Sequence, residues 1–120
     1  MLIINLDQKE SVVTLTPQGP LEVKDFEEVV KRVDPFLEKE GALNGLIIYV
    51  ETFNGWDSFS ALLRHLKFIN NHHKKVAHIA FVTDSIIGDI AEHIGAHFVD
   101  AEVKHFPFTD LDEANAWIQA

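Results

Sequence analysis

The chain has 120 residues, 47% of them hydrophobic, with 19 acidic against 10 basic side chains, a formal charge of −9 and no cysteine. That length buries a core unaided, and the missing cysteine excludes a disulfide scaffold, a thiolate zinc site and a cysteine nucleophile. The negative balance repels phosphate backbones and anionic lipid headgroups, which argues against nucleic acid as a partner, and no helical segment carries the Lys/Arg face of an interfacial helix.

With no linker-like or low-complexity run, residues 1–120 are expected to form one ordered domain. The longest apolar runs, "LIIYV" and "IAFV", are far short of a bilayer span, and the first residues lack the basic region and cleavage site of a signal peptide. The expectation is a soluble, cytoplasmic protein with no stable membrane insertion.

"LIINL" (2–6) and "SVVTLTP" (11–17) read as two strands joined by a hairpin turn at "DQKE", and the alternation of Leu2, Ile4 and Leu6 suits an antiparallel edge strand. Phe26, Val29, Val30, Val33 and Leu37 then recur at helical spacing up to Gly41. Pro35 falls inside this pattern, where its missing N–H predicts a kink.

"GLIIYVE" (45–51) is almost continuously apolar, as in a central strand covered on both faces. "SFSALLRHLKFINNHH" places Phe59, Leu62, Leu63, Leu66 and Ile69 on one helical stripe. "VAHIAFVT" (76–83) is a second buried strand, followed by a helix with Ile87, Ile90, Ala91 and Ile94 inward and Gly95 as its stop. "AHFVDAEVKHF" (96–106) reads as an edge strand whose Asp100, Glu102 and Lys104 discourage further pairing. "DLDEANAWIQ" closes as a helix with Leu111, Ala114, Trp117 and Ile118 on one face. The order is β-β-α-β-α-β-α-β-α, an α/β fold with a mostly parallel five-stranded sheet and helices on both faces.

Ligands of open α/β sheets gather at the carboxyl ends of the parallel strands. The loops there read "PQGPLEVKD", "ETFNGWDS", "TDS" and "HFPFTD", and none is a multi-glycine phosphate loop or a dinucleotide fingerprint. They carry aromatics instead: Phe53, Trp56 and Phe59 at one junction, Phe106 and Phe108 at another. Such rings most often pack down as satellite core; the sharper reading is an apolar pocket or partner surface, and it gains from Trp56 beside Gly55 in a loop.

Asp57 and Ser58 stand where a helix begins, where either side chain accepts an orphan N–H; Asp84 with Ser85 and Thr109 with Asp110 repeat the chemistry, which makes capping the general reading. The histidines make no metal site: His72 and His73 are adjacent, the spacing of His93 and His97 is interrupted by Gly95, and no HExxH run occurs. His78, in an apolar strand, reads as a hydrogen-bonded core residue. Neither Ser58 nor Ser85 has a nucleophile-elbow context, so no catalytic residue and no cofactor is indicated.

The hairpin-first order and the stretch "GLIIYVETFNGWDSFSALL" resemble the STAS domains of bacterial anti-anti-sigma factors, in particular the SpoIIAA-like group, which is described as related to the CRAL-TRIO lipid-transfer fold. The resemblance implies a STAS-like fold over the whole chain and a non-catalytic, regulatory or binding module. In anti-anti-sigma factors an Asp-Ser pair at this place is followed by Ser or Thr and Gly, and the serine is phosphorylated by a partner kinase. Asp57 and Ser58 match the pair, whereas Phe59 and Ser60 differ from the two residues next to it in those factors.

The leading expectation is a module that binds a small apolar or amphiphilic, lipid-like ligand or a protein partner at a rim of Phe53, Trp56, Asp57, Ser58 and Phe59, extended by Phe106 and Phe108. The alternative is a phosphorylation switch with Ser58 as acceptor, and an enzyme using His or Asp at the rim ranks last. An exposed Trp117 or the aromatic loops offer a surface for a homodimer.

Overall fold

A computed structural model describes residues 2–19, 22–52, 76–84 and 102–120. Strand β1 (Leu2–Asp7) pairs antiparallel with β2 (Val12–Pro17), with Asp7 opposite Val12. The Asp7 carboxylate closes the turn between them by accepting the N–H groups of Lys9 at 3.1 Å and Glu10 at 3.1 Å. Ser11 takes a positive φ of 58°, and its carbonyl accepts the N–H groups of Asn44 and Gly45. The hairpin is thereby tied to the strand that comes after the first helix.

Helix α1 (Val23–Glu40) starts where the Asp25 carboxylate accepts the N–H of Glu22 at 2.8 Å, and it ends at Gly41, whose φ of 82° lets its N–H reach the carbonyl of Leu37 at 2.7 Å. It runs as one helix through Pro35, so the proline does not break it. Val29, Val33, Phe36 and Leu37 are buried, whereas the side chains of Phe26 and Val30 lie outside the described residues. Arg32 donates to the carbonyl of Ile4 at 3.2 Å, which occupies one acceptor of the edge strand.

Strands β3 (Leu43–Tyr49), β4 (Val76–Val82) and β5 (Glu102–Phe106) complete a five-stranded sheet in the order β1-β2-β3-β4-β5, parallel from β2 onward. β3 begins two residues before the expected Gly45, because Leu43 pairs with Val76 and is buried. The expected strand segment 96–101 lies outside the described residues, as do the helices expected after β3 and β4. The short helix α2 (Leu111–Gln119) closes the chain.

Successive strand residues point to opposite faces, and each face has its own core. Val13, Leu15, Leu46, Ile48, Ile79 and Phe81 pack with α1. Val12, Ile47, Ala80, Val82 and Phe106 pack with Ala114 and Ile118 of α2. This explains the nearly unbroken apolar run of β3: Ile47 and Ile48 are each fully buried, against different helices. No described helix is long and apolar enough to cross a membrane.

Candidate functional site at the carboxyl ends of the parallel strands

Because β2 to β5 are parallel, their carboxyl ends open onto one rim, from which the connecting loops depart. Three of those ends are sewn together by hydrogen bonds. Val50 N–H donates to the Val82 carbonyl at 3.1 Å, Asp84 N–H to the Glu51 carbonyl at 2.9 Å, and Thr83 N–H to the Phe106 carbonyl at 2.9 Å. Thr83 is fully buried, and its hydroxyl donates to the Glu51 carbonyl at 3.0 Å. The ring of His105 donates through Nε2 to the Thr83 carbonyl at 2.7 Å. The polar groups that would otherwise be orphaned at three strand ends satisfy one another, which gives the loops a firm base.

On this base the chain places an aromatic pair. Tyr49, the last residue of β3, stacks on Phe108 with ring centroids 4.6 Å apart and an interplanar angle of 11°. The Phe108 N–H donates to the Asp84 carboxylate at 3.0 Å, so its backbone is held to the end of β4 while its ring is held to the end of β3. Tyr49 and Phe108 are half-buried, and Glu51 and Asp84 are exposed beside them. Phe106, by contrast, is buried in the α2-side core, tilted against Trp117 at 5.9 Å.

Of the rim residues expected from the sequence, Phe106 and Phe108 are thus within two residues of each other but play different parts. Phe53, Trp56, Asp57, Ser58 and Phe59 lie outside the described residues. So do Ser85, His72, His73, His93 and His97, and among the described residues no three histidine or carboxylate side chains gather where a metal ion could sit. The Asp84 carboxylate accepts the distant Phe108 N–H, and the helix start it is expected to cap lies outside the described residues. Asp110 does occupy the N-cap of α2, yet its side chain makes no cap bond; it lies 3.5 Å from the Thr109 hydroxyl instead. Of the three Asp/Ser/Thr junctions read as caps, Thr109–Asp110 is the one whose helix is among the described residues, and there the side-chain cap bond is missing.

His78 is a hydrogen-bonded, half-buried strand residue, as its place in an apolar run suggests. Its Nδ1 donates to the Asn44 carbonyl at 2.9 Å, its Nε2 is 3.7 Å from the Glu102 carboxylate, and its ring meets Trp117 edge-on at 5.0 Å. Trp117 itself is half-buried, with the Lys104 ammonium 6.0 Å from its ring. In the first turn of α1, a hydrogen bond from the Lys24 ammonium to Glu22 and the attraction of that carboxylate hold the lysine above its usual pKa.

The chain matches the SpoIIAA-like family over residues 12–119. It belongs to that family. No curated protein and no solved structure gives a significant match. The SpoIIAA-like match spans both parallel-strand cores and the rim, and it leaves out only β1, the hairpin turn and the last residue. The mostly parallel five-stranded sheet with helices on its two faces is that of a STAS-like fold. As a SpoIIAA-like domain the chain is a STAS-type binding or regulatory module, a class that is generally non-catalytic. Sequence reading places Thr83 and Asp84 in the rim loop "TDS" without giving them a part in the site, and it does not single out Tyr49. Each stands at the end of an apolar run that reads as a strand.

Proposed function

We propose that this SpoIIAA-like domain is a non-catalytic module that holds a small apolar or amphiphilic ligand at the rim formed by Phe53, Trp56, Asp57, Ser58, Phe59 and Phe108. The observation that carries the reading is the half-buried Tyr49–Phe108 stack, fixed at the carboxyl ends of the parallel strands where ligands of such sheets bind. A half-buried, preordered aromatic pair offers apolar contact area at little further cost in side-chain entropy. The sequence that follows β3 continues with further aromatic residues in "FNGWDSF".

Native mass spectrometry of the freshly purified protein, set against the denatured mass and followed by organic extraction, tests this. An added mass of a few hundred daltons that extracts as a lipid or other amphiphile is the expected result. A bare chain after purification, together with specific capture of a protein partner that is lost when Trp56 is changed to Ala, would make the rim a protein-binding surface instead.

A second reading is favoured by one feature of the sequence, the Asp57–Ser58 pair at the place of the anti-anti-sigma acceptor. Phosphorylation of Ser58 would add roughly two negative charges next to Asp57, where the sequence predicts the start of a helix. Intact-mass measurement on protein from its native host decides it: a phosphate on Ser58 supports the switch, and its absence under every growth condition removes it.

A further inference from the structure

We infer that Asp84 is a positioning residue of the rim: its carboxylate sets Phe108 on Tyr49, and the pair Tyr49–Phe108 forms the ordered wall against which an amphiphile without an anionic headgroup lies. The inference rests on the binding function proposed above and adds Tyr49 and Asp84 to its site.

The argument starts from the two ends of the Phe108 tether. Phe108 comes after the buried Phe106 and the intervening Pro107 on the way from β5 into α2. At its backbone, the N–H reaches 24 residues back along the sequence to Asp84, which is itself pinned by its own N–H to the Glu51 carbonyl. At its side chain, the ring lies nearly parallel to that of Tyr49. Glu51 and Tyr49 belong to the same strand end, so the contacts form a closed loop: β3 to Asp84, Asp84 to Phe108, Phe108 back to β3. A ring held at both ends loses its freedom before a ligand arrives.

Burial supports a surface role for the ring. Phe106 and Val82 are buried in the α2-side core, whereas Tyr49 lies at its margin and Phe108 remains half-buried. In a parallel stack each ring spends one face on the other. Exposed Glu51 and Asp84 stand next to the pair in a chain of net charge −9, which disfavours an anionic headgroup at this wall.

Two measurements test the inference on the full chain. The first is amide hydrogen exchange at Phe108. Asp84→Ala is expected to speed exchange of the Phe108 amide about tenfold, since a charge-assisted hydrogen bond is lost, while the Thr83 amide keeps its protection. Asp84→Asn retains an acceptor oxygen and is expected to restore protection to within about twofold of wild type. Equal exchange in all three proteins overturns the positioning role whatever the rim binds.

The second is titration with N-phenyl-1-naphthylamine, an uncharged fluorescent amphiphile. Saturable binding by the wild type, weakened about tenfold by Phe108→Ala and Asp84→Ala but kept by Asp84→Asn, supports the ordered wall. Binding that is unchanged by Phe108→Ala overturns it. If the wild type shows no saturable binding while the exchange pattern holds, the amphiphile-binding wall is refuted and the positioning role of Asp84 stands alone.

Discussion

Gly45→Ala measures how closely α2 is pressed onto the sheet. Gly45 lies inside β3, on the face that carries Ile47, and a Cβ built on it would meet Ile118 Cγ2 at 2.6 Å and Cδ1 at 2.7 Å. Ile118 is 1% exposed and its carbonyl accepts the Asn44 side-chain amide at 3.3 Å, so it has little room to withdraw. Two effects oppose each other. Alanine gains roughly 0.5–1 kcal/mol over glycine in a strand by restricting the unfolded chain, and overpacking a filled core costs about 1–3 kcal/mol. The clash wins, with a net loss of roughly 1–2 kcal/mol expected.

Urea denaturation followed by far-UV circular dichroism gives the number. The same substitution made in an Ile118→Ala background tests its cause, because the opposing atoms are then gone; only the gain from alanine should remain, and the coupling should equal the clash, about 1–3 kcal/mol. A Gly45→Ala protein as stable as wild type would refute the close approach. So would an equal penalty in both backgrounds, which would place the cost in the backbone rather than at Ile118.

Other substitutions probe the tethers and the core. Phe81→Ala empties a fully buried position of the α1-side core and should cost about 3–5 kcal/mol by the same denaturation assay. Asn44→Asp removes the side-chain N–H donor to the Ile118 carbonyl and sets a carboxylate against it, so the melting temperature should fall further than for Asn44→Ala, whose expected loss is about 1 kcal/mol. Ser11→Gly relieves a residue held at a φ of 58° and should raise stability by roughly 0.5–1 kcal/mol, whereas Ser11→Val should lower it. Gly41→Ala puts a side chain at a φ of 82° on the end of α1 and should cost about 1 kcal/mol, detectable as a shift in denaturation midpoint.

The architecture was legible because burial imposes periodicity on the chain. Leu2, Ile4 and Leu6 alternate because β1 is an edge strand with one buried face, and Ile47 and Ile48 are consecutive because β3 is covered on both. Gly41 ends α1 as expected, since a left-handed cap favours glycine. Pro35 does not end the helix: α1 continues past it, with Phe36 and Leu37 buried on its far side. Packing of those two side chains offsets a missing backbone hydrogen bond.

The candidate site was legible in kind, as aromatics at the carboxyl ends of parallel strands, but its members were not sorted. Phe106 and Phe108 look alike in "HFPFTD", yet one is core and the other lies on the rim. Asp84 and Asp110 likewise both read as helix caps; Asp110 makes no side-chain cap bond, and nothing in the sequence marks Asp84 as the acceptor of the Phe108 N–H.

By itself the sequence determined the kinds and order of the elements that are described, the parallel character of the sheet and the absence of cysteine chemistry, all of which come from local periodicity and composition. Only the tertiary structure decided which strand ends meet, why β3 has a glycine under Ile118, and that a carboxylate after β4 holds a backbone amide after β5. Those contacts join residues that are distant along the chain and have no periodic signature. They exist because the parallel register brings three strand ends to one level, where each unpaired N–H and carbonyl must find a partner.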